Sequence, residues 1–252
     1  YMWDKESGLY YDVDTASVRT QWVTVATFWP ILANISSPKQ TARLVAAIKN
    51  ENIFWRPLPL PSLAANQPHY DKQGRYWRGG VWAPTTYMTV KGLQRNGYEE
   101  LASEIVAKNM AVMYKVYKST GTIWELYSPE MPIPATDATG VQTVKPNFVG
   151  WSGLIPISMF IENIIGINAD AVTNSIVWRS TCEERHGIEG LRFGNVMTSL
   201  VREGNRVSVE SNNEYTLILN GKKHKISKGK QTFEIVATKK HPRAFIGVNI
   251  GF

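Results

Sequence analysis

The stretch Tyr98–Thr120, YEELASEIVAKNMAVMYKVYKST, carries a long helical pattern in this chain of 252 residues. Its apolar side chains recur at positions 101, 105, 106, 112, 113 and 116, which is the period of an amphipathic α-helix. Irregular segments rich in aromatic residues, proline and glycine lie on either side of this helical region, over residues 54–84 and 121–147. Long ordered loops usually carry function, so the pattern predicts helices that support functional loops.

Other segments also have helical patterns. Residues 18–32 form a mostly apolar helical pattern, and Ser37 with Pro38 supplies an N-cap and a first-turn proline for the helix that follows. A helix is expected after Pro84, and another begins at Ser152 or Gly153. Because helices and loops alternate along the chain, we predict a portion of a mainly helical barrel with its functional loops at one end.

The sequence pattern changes after about Asn168. Apolar and polar residues then alternate, as in NSIVWRS and NRVSVES, and turn signals occur at residues 203–205, 212–213 and 220–221. This alternation is typical of half-buried strands. We therefore predict two domains, a helical domain over residues 1–168 and a small antiparallel β-sandwich over residues 169–252.

The composition excludes several classes of partner and site. The net charge of +7 comes mostly from late segments such as NGKKHKISKGK, which are typical of solvated turns, so nucleic acid is not the expected partner. The sequence contains no run of about 18 apolar residues, so it predicts no membrane-spanning helix. The single cysteine, Cys182, excludes an intrachain disulfide and a cysteine-based zinc site, and the four histidines are scattered. We expect no metal or cofactor, and the compartment stays open.

Four segments of the predicted helical domain place an aromatic ring beside a polar or charged group. They are Trp3-Asp4, YWRGGVW at 76–82, WELY at 124–127 and FVGWS at 148–152. Sugars present apolar C–H faces and a rim of hydroxyl groups, which flat rings and a few charged groups can bind. We therefore predict a carbohydrate pocket, in which Glu125 is either a working carboxylate or a satisfied structural group. The candidate substrate-binding residues are Trp77, Arg78, Trp82, Trp124, Tyr127 and Trp151.

Each of these residues also has a purely structural alternative. Trp77 and Trp82 could be buried plugs, and Arg78 could hold loop carbonyl groups. The Glu125 carboxylate could be satisfied by loop N–H groups or by an arginine such as Arg78. Ser152 does not fit a nucleophile elbow, because the G-x-S-x-G motif needs a glycine where residue 154 is leucine.

The four segments resemble, in the same order, motifs of trehalases and of the inverting α-glucosidases of glycoside hydrolase family 63. YMWDKESGLYYDVD resembles W-D-x-x-x-G-x-Y-x-D-x-D, and YWRGGVW resembles Y-W-R-G-x-x-W. WELYSPE resembles the E-N-Y or E-K-Y segment, and NFVGWSGLIPI resembles F-G-W-[ST]-x-G. Arg78 stands where trehalases have aspartate, and no G-G-G-E-Y stretch precedes Phe148, so the resemblance favours family 63.

This resemblance implies an (α/α)6 barrel and an inverting glycosidase that acts on an oligosaccharide or disaccharide. Glu125 matches the general base, which activates a water on the face opposite the leaving group. The family's general acid is an aspartate in an upstream G-W-D motif that this sequence lacks. We therefore expect the chain to be the later part of a larger enzyme, whose upstream part completes the barrel. The rival hypothesis is a carbohydrate-binding or structural protein that keeps the pocket without the acid.

Overall fold

The computed structural model describes residues 1–235, which divide into two compact units, Tyr1–Ile157 and a second unit from Ser158 onward. Residues 236–252 of the predicted β domain lie outside the described residues. The units divide earlier than the predicted domain boundary at residue 168, because Ile161 and Ile165 pack against the hydrophobic core of the sheets.

The first unit begins with a small hairpin. Strands β1 (Trp3–Asp4) and β2 (Leu9–Tyr10) pair antiparallel, and the turn between them contains Gly8 with a φ of +73°. Arg43 donates hydrogen bonds to the carbonyl oxygens of Lys5 and Glu6. These bonds fasten the hairpin turn to the helix that carries Arg43.

The predicted helix over residues 18–32 is wrong in its first half. Only a 3₁₀ turn at Val25–Phe28 and the short helix α1 (Trp29–Leu32) are helical. Residue Thr24 is extended, with φ −113° and ψ 166°, and forms a bridge to Leu63. The adjacent backbone groups bond to the same loop, since Val25 N–H donates to Ser62 O and Ala64 N–H donates to Val23 O. Pairing with a distant loop therefore overrides the local helical pattern.

The other helix predictions are confirmed. Helix α2 (Pro38–Ile48) starts with a capping box in which Ser37 and Gln40 bond reciprocally. Helix α3 (Ala83–Arg95) packs against both α1 and α4 (Glu99–Thr120). A Cβ on Gly92 of α3 would lie 2.9 Å from the backbone nitrogen of Leu32, so glycine permits the close approach of α1. A 3₁₀ turn at Trp151–Leu154 and a π-helical segment at Ile155–Ile165 follow.

The mainly helical class is not confirmed for the described residues. Loops take up more of the first unit than its helices do, and the two longest loops lie between α2 and α3 and after α4. These loops are ordered by mutual backbone bonds, such as Leu58 N–H to Pro129 O and Tyr76 N–H to Thr136 O. The helices thus frame a pair of long loops that support each other.

The second unit contains two four-stranded sheets with a shared hydrophobic core. The strands are β3 (Ile167–Asp170), β4 (Ser175–Trp178), β5 (His186–Phe193), β6 (Val196–Glu203), β7 (Arg206–Ser211), β8 (Tyr215–Leu219), β9 (Lys222–Ile226) and β10 (Gly229–Glu234). One sheet has the order β10-β7-β6-β5 and the other β3-β4-β8-β9. Residues from both sheets form the core, including Trp178, Leu200 and Leu217, as expected for a β-sandwich.

The prediction of an antiparallel β domain is wrong for one strand pair. Strands β4 and β8 run parallel, with Ser175 opposite Thr216 and Trp178 opposite Leu219. Between these two strands the chain builds β5, β6 and β7 in the other sheet and then returns. Hairpin turns join β3 to β4, β5 to β6, β6 to β7 and β8 to β9, and each of these turns reverses the chain, whereas β4 and β8 are joined through the other sheet.

Candidate active site

Three loop segments of the first unit cross at residues 123–127. Val81 and Tyr127 exchange both backbone hydrogen bonds, with N···O distances of 2.9 and 3.2 Å. On the other side of this segment, Glu125 N–H donates to Lys145 O at 3.0 Å and Phe148 N–H donates to Ile123 O at 2.9 Å. The WELY motif therefore runs like a short strand between the YWRGGVW loop and the segment before the FVGWS motif.

Glu125 lies at the centre of this crossing and is 8% exposed. Its carbonyl oxygen accepts a hydrogen bond from Ser152 Oγ at 2.8 Å, so both backbone polar groups are fixed. Its carboxylate Oε2 accepts from Lys145 N–H at 3.5 Å, which is beyond the usual range for a strong bond. No ion pair within residues 1–235 involves Glu125. The backbone is therefore held firmly, while most of the acceptor capacity of the carboxylate is unused.

Three of the predicted sugar-binding tryptophans lie together. Trp77 stacks on Trp82 with ring centroids 4.4 Å apart, and the edge of Trp151 meets Trp82 at 5.8 Å. Trp82 is only 1% exposed, whereas Trp77 is 54% and Trp151 is 46% exposed. Trp82 Nε1 is buried and has no hydrogen-bond partner in the described part of the chain. Trp82 therefore supports the two accessible rings from below and has little surface of its own to offer.

Trp124 and Tyr127 flank Glu125 and serve internal contacts. Trp124 packs against the small cluster that includes Trp82 and Leu126, and its Nε1 donates to Thr120 Oγ1 at 2.9 Å. The Tyr127 hydroxyl accepts from Trp124 N–H at 3.1 Å. Burial raises the pKa of Tyr127 to about 12, so its hydroxyl stays protonated at neutral pH. Both side chains stabilise the WELY segment around Glu125.

Arg78 is exposed, and its guanidinium makes no hydrogen bond or ion pair with any residue that the structure describes. Only its backbone is engaged, since Asp71 N–H donates to Arg78 O at 2.6 Å. The alternatives in which Arg78 holds loop carbonyl groups or pairs with Glu125 are therefore not seen. The side chain is free to contact a ligand.

Sequence reasoning missed a second carboxylate on the same loop. Glu130 accepts two hydrogen bonds from Arg56, at 2.6 and 3.0 Å, and one from Tyr70 Oη at 2.6 Å. Burial acts to raise the pKa of Glu130, but the bonds from Arg56 and Tyr70 outweigh it and leave that pKa below its ordinary value. The partners lie 74 and 60 residues away in sequence, so no local pattern could have identified them.

Tyr76 was also missed. Its backbone φ is +51°, in the left-handed region that bulky residues rarely occupy. Its ring meets Trp82 edge-on at 4.9 Å. Strained backbone of this kind is concentrated at functional sites, because surrounding contacts must hold it in place. A non-glycine residue cannot be recognised as left-handed from sequence alone.

The first motif, Trp3-Asp4, lies in the hairpin formed by β1 and β2. Asp4 accepts from Ser7 N–H at 2.7 Å and pairs with Arg19 at 2.8 Å. The bond from Ser7 and the charge of Arg19 hold the pKa of Asp4 below its ordinary value. Asp4 is therefore a turn residue, and no ring contact among the described residues joins Trp3 to the tryptophan cluster.

Neither a metal site nor a membrane-spanning helix occurs within residues 1–235. No group of three or more histidine, cysteine, aspartate or glutamate residues is arranged to hold a metal ion. In the same range, every helix is too short or too polar to cross a bilayer.

Residues 1–133 match the family described as mannosylglycerate hydrolase MGH1-like glycoside hydrolase domain. A protein of Borreliella burgdorferi is 28% identical over 228 residues, covering 87% of this chain and 48% of that protein. A cytosolic neutral trehalase of Neurospora crassa is 28% identical over 137 residues, covering 53% of this chain and 18% of the trehalase. The chain thus spans less than half the length of the curated relatives it matches.

A solved structure of a family 63 enzyme is also similar to this chain. The crystal structure of the GH63 mannosylglycerate hydrolase from Thermus thermophilus in complex with glucose superimposes with a TM-score of 0.51 at 25% identity. The match covers 62% of this chain and 36% of that enzyme. Together with the family match, this confirms the resemblance to family 63 and to trehalases that the motifs predicted.

Proposed function

The chain belongs to the family of mannosylglycerate hydrolase MGH1-like glycoside hydrolases, and we propose that it is the base-carrying part of an inverting glycosidase. In this proposal Glu125 is the general base. The general acid lies on a part of the enzyme outside this sequence, which contains no G-W-D motif. The helices of the first unit are then one portion of an (α/α)6 barrel, and the β-sandwich follows it.

The state of the Glu125 carboxylate carries the proposal. A general base in an inverting glycosidase must accept a proton from water on the face of the sugar opposite the leaving group. Such a base needs free lone pairs and a fixed direction. The only hydrogen bond to the carboxylate within residues 1–235 is 3.5 Å long, while the backbone of the same residue is held on both sides. The side chain is thus ready to accept a proton.

The surrounding residues suit a sugar substrate. Trp77 and Trp151 offer accessible ring faces, and the free guanidinium of Arg78 follows directly on Trp77. Aromatic faces pack against the C–H faces of sugars, and a guanidinium can donate to sugar hydroxyl or carboxylate oxygens. We assign Trp77, Trp151 and Arg78 to substrate contact. Trp82, Trp124 and Tyr127 have the role of shaping the pocket from within.

We propose an α-glycoside of glucose or mannose as the substrate class. The named relatives support this choice, since they include a mannosylglycerate hydrolase, a mannosyl-oligosaccharide glucosidase and trehalases. Proton transfer by two carboxyl groups needs no metal, and the proposal includes none.

The stereochemistry of the product tests the proposal. The native polypeptide that contains this chain is incubated with α-glucosides and α-mannosides, and the first-formed sugar is followed by NMR before it mutarotates. We expect the β-anomer, because water attacks from the face opposite the α-linkage. An α-anomer would show retention and would contradict a base role for Glu125. Saturable sugar binding without any turnover would instead favour the rival carbohydrate-binding protein.

A further inference from the structure

We infer that Ser152 is a positioning residue that fixes the direction of the Glu125 side chain, an inference that rests on the proposed base role of Glu125. The sequence singles out Ser152 in the GWSG stretch and excludes it as a nucleophile. The structure gives its hydroxyl a different partner, the carbonyl oxygen of Glu125, at 2.8 Å.

The Ser152 side chain is fully buried, so its hydroxyl must find a hydrogen-bond partner within the protein. The residue is 0% exposed and lies in the 3₁₀ turn Trp151–Leu154. This turn is itself tied by Gly153 N–H, which donates to Val149 O at 2.7 Å. A buried hydroxyl without access to water must form its hydrogen bond within the protein, because leaving it unpaired is destabilising. The bond to Glu125 is therefore a fixed part of the fold.

The bond from Ser152 completes the restraint on the Glu125 backbone. Glu125 N–H is held by Lys145 O, and no other hydrogen bond to Glu125 O occurs among the described residues. With its N–H and its C=O both anchored, the Cα of Glu125 lies between two fixed peptide groups. The direction in which the side chain leaves the backbone is thereby set.

The restraint has to act through the backbone because the carboxylate is barely held. Its only bond from a described residue is the contact of 3.5 Å from Lys145 N–H, which is too long to fix an orientation. A stronger bond to the carboxylate would also use the lone pair that a general base needs. The Ser152 hydroxyl orients Glu125 without occupying its carboxylate.

Ser152→Ala and Ser152→Thr in the native polypeptide test this inference. Loss of the hydroxyl in Ser152→Ala should lower kcat by about 10- to 100-fold, the cost of a misplacement of about 1 Å, with KM nearly unchanged. Ser152→Thr keeps the hydroxyl and should restore most of the activity. If Ser152→Ala does not fold, Ser152→Cys fills the same space with a weak donor and should lower kcat in the same way.

Thr89→Val is the matched control. Thr89 is 1% exposed, and its Oγ1 donates to Thr85 O at 2.9 Å within α3, so the substitution also removes a buried hydroxyl. We expect a comparable fall in Tm but an unchanged kcat for the folded fraction. A kcat for Ser152→Ala that equals that of Thr89→Val would overturn the inference and leave the base role of Glu125 intact.

A double-mutant cycle separates the two proposals. If Ser152 acts through Glu125, adding Ser152→Ala to Glu125→Ala should cause no further loss of activity. Additive losses would mean that Ser152 acts elsewhere, and the inference would fail while the proposed function stands. Full activity in Glu125→Ala alone, or no hydrolysis by the unaltered polypeptide, would refute the proposed function and the inference together.

Discussion

Glu125 and Glu130 lie on the same loop and are both largely shielded from solvent, yet their carboxylates have opposite hydrogen-bonding environments. Glu130 receives three short hydrogen bonds, two from Arg56 and one from Tyr70. Among residues 1–235, the Glu125 carboxylate receives one long contact from a backbone N–H, while the backbone of Glu125 is anchored by Lys145 and Ser152. The Glu130 carboxylate is thus well satisfied by described residues, whereas the Glu125 carboxylate is not.

This difference shows that burial alone does not tell whether a carboxylate is hydrogen-bonded within the protein. A buried carboxylate is costly unless it is paired or hydrogen-bonded, and Glu130 meets that requirement within the chain. Glu125 does not meet it within the described part of the chain, although both of its backbone polar groups are hydrogen-bonded. Glu125, the candidate base, therefore differs from Glu130 in having a carboxylate with unused acceptor capacity on a backbone that is hydrogen-bonded on both sides.

The difference between Glu125 and Glu130 should be greatest in its effect on kcat. We expect Glu125→Gln to lower kcat by about 10²- to 10⁴-fold, because the amide cannot accept the proton from water. The Tm should stay close to that of the unaltered polypeptide, since no short hydrogen bond to the Glu125 carboxylate is lost. Steady-state kinetics and thermal unfolding of the same preparation measure both quantities.

Glu130→Gln is the counterpart of this variant and should give the opposite result. It should reduce the free energy of unfolding by about 1–3 kcal/mol, because the guanidinium of Arg56 loses its charged partner in a largely buried site. The kcat of the folded protein should change far less than in Glu125→Gln. Hydrolysis that is unchanged in Glu125→Gln would remove the distinction between the two carboxylates.

Arg56, Tyr70 and Glu130 form a hydrogen-bonded cluster, here called the clamp, whose contribution to stability should depend on pH. The pKa of Glu130 in the folded protein lies below its ordinary value, so its contribution to stability is complete above about pH 4.3, the value for a free glutamate. That contribution is lost as the pH falls through the folded pKa. We expect the Tm difference between the unaltered protein and Glu130→Gln to shrink below pH 4. A difference that is constant between pH 7 and pH 3 would show that the clamp is not ionic.

The smallest effect concerns the third member of the clamp. Tyr70→Phe removes one hydrogen bond to a charged acceptor and leaves the two bonds from Arg56 in place. We expect a loss of about 1–2 kcal/mol in the free energy of unfolding, measured by urea titration, with kcat unaffected. Burial and the nearby Glu130 carboxylate raise the pKa of Tyr70 above its ordinary value, so the hydroxyl remains a donor at neutral pH. A loss equal to that of Glu130→Gln would mean that Tyr70, rather than Arg56, holds the clamp.

Local signals predicted those parts of the fold that depend on neighbouring residues. The Ser37 capping box with Pro38 placed the start of α2, and apolar periodicity placed α4. The turn at Asn220-Gly221 correctly separated β8 from β9. The apolar run over residues 18–32 failed, because its backbone groups pair with a loop some 40 residues later in the chain.

The candidate site shows the same division. The motifs pointed to Trp77, Trp82 and Trp151, and the structure brings these rings together. Their unequal exposure, with Trp82 buried beneath its neighbours, could not be read from the spacing. The free state of Arg78 was likewise undetermined, since a clamp and a ligand contact use the same residue type.

Residues within a few positions of one another, or a short motif, encode the α2 cap, the α4 period, the hairpin turns and the family, so these features can be predicted from the sequence. Which carboxylate is satisfied depends instead on tertiary contacts. Arg56 and Tyr70 reach Glu130 across 74 and 60 residues, and Ser152 reaches the Glu125 carbonyl across 27. Hydrogen bonds of this range depend on how distant loops close on each other, and no local pattern of residues records that closure.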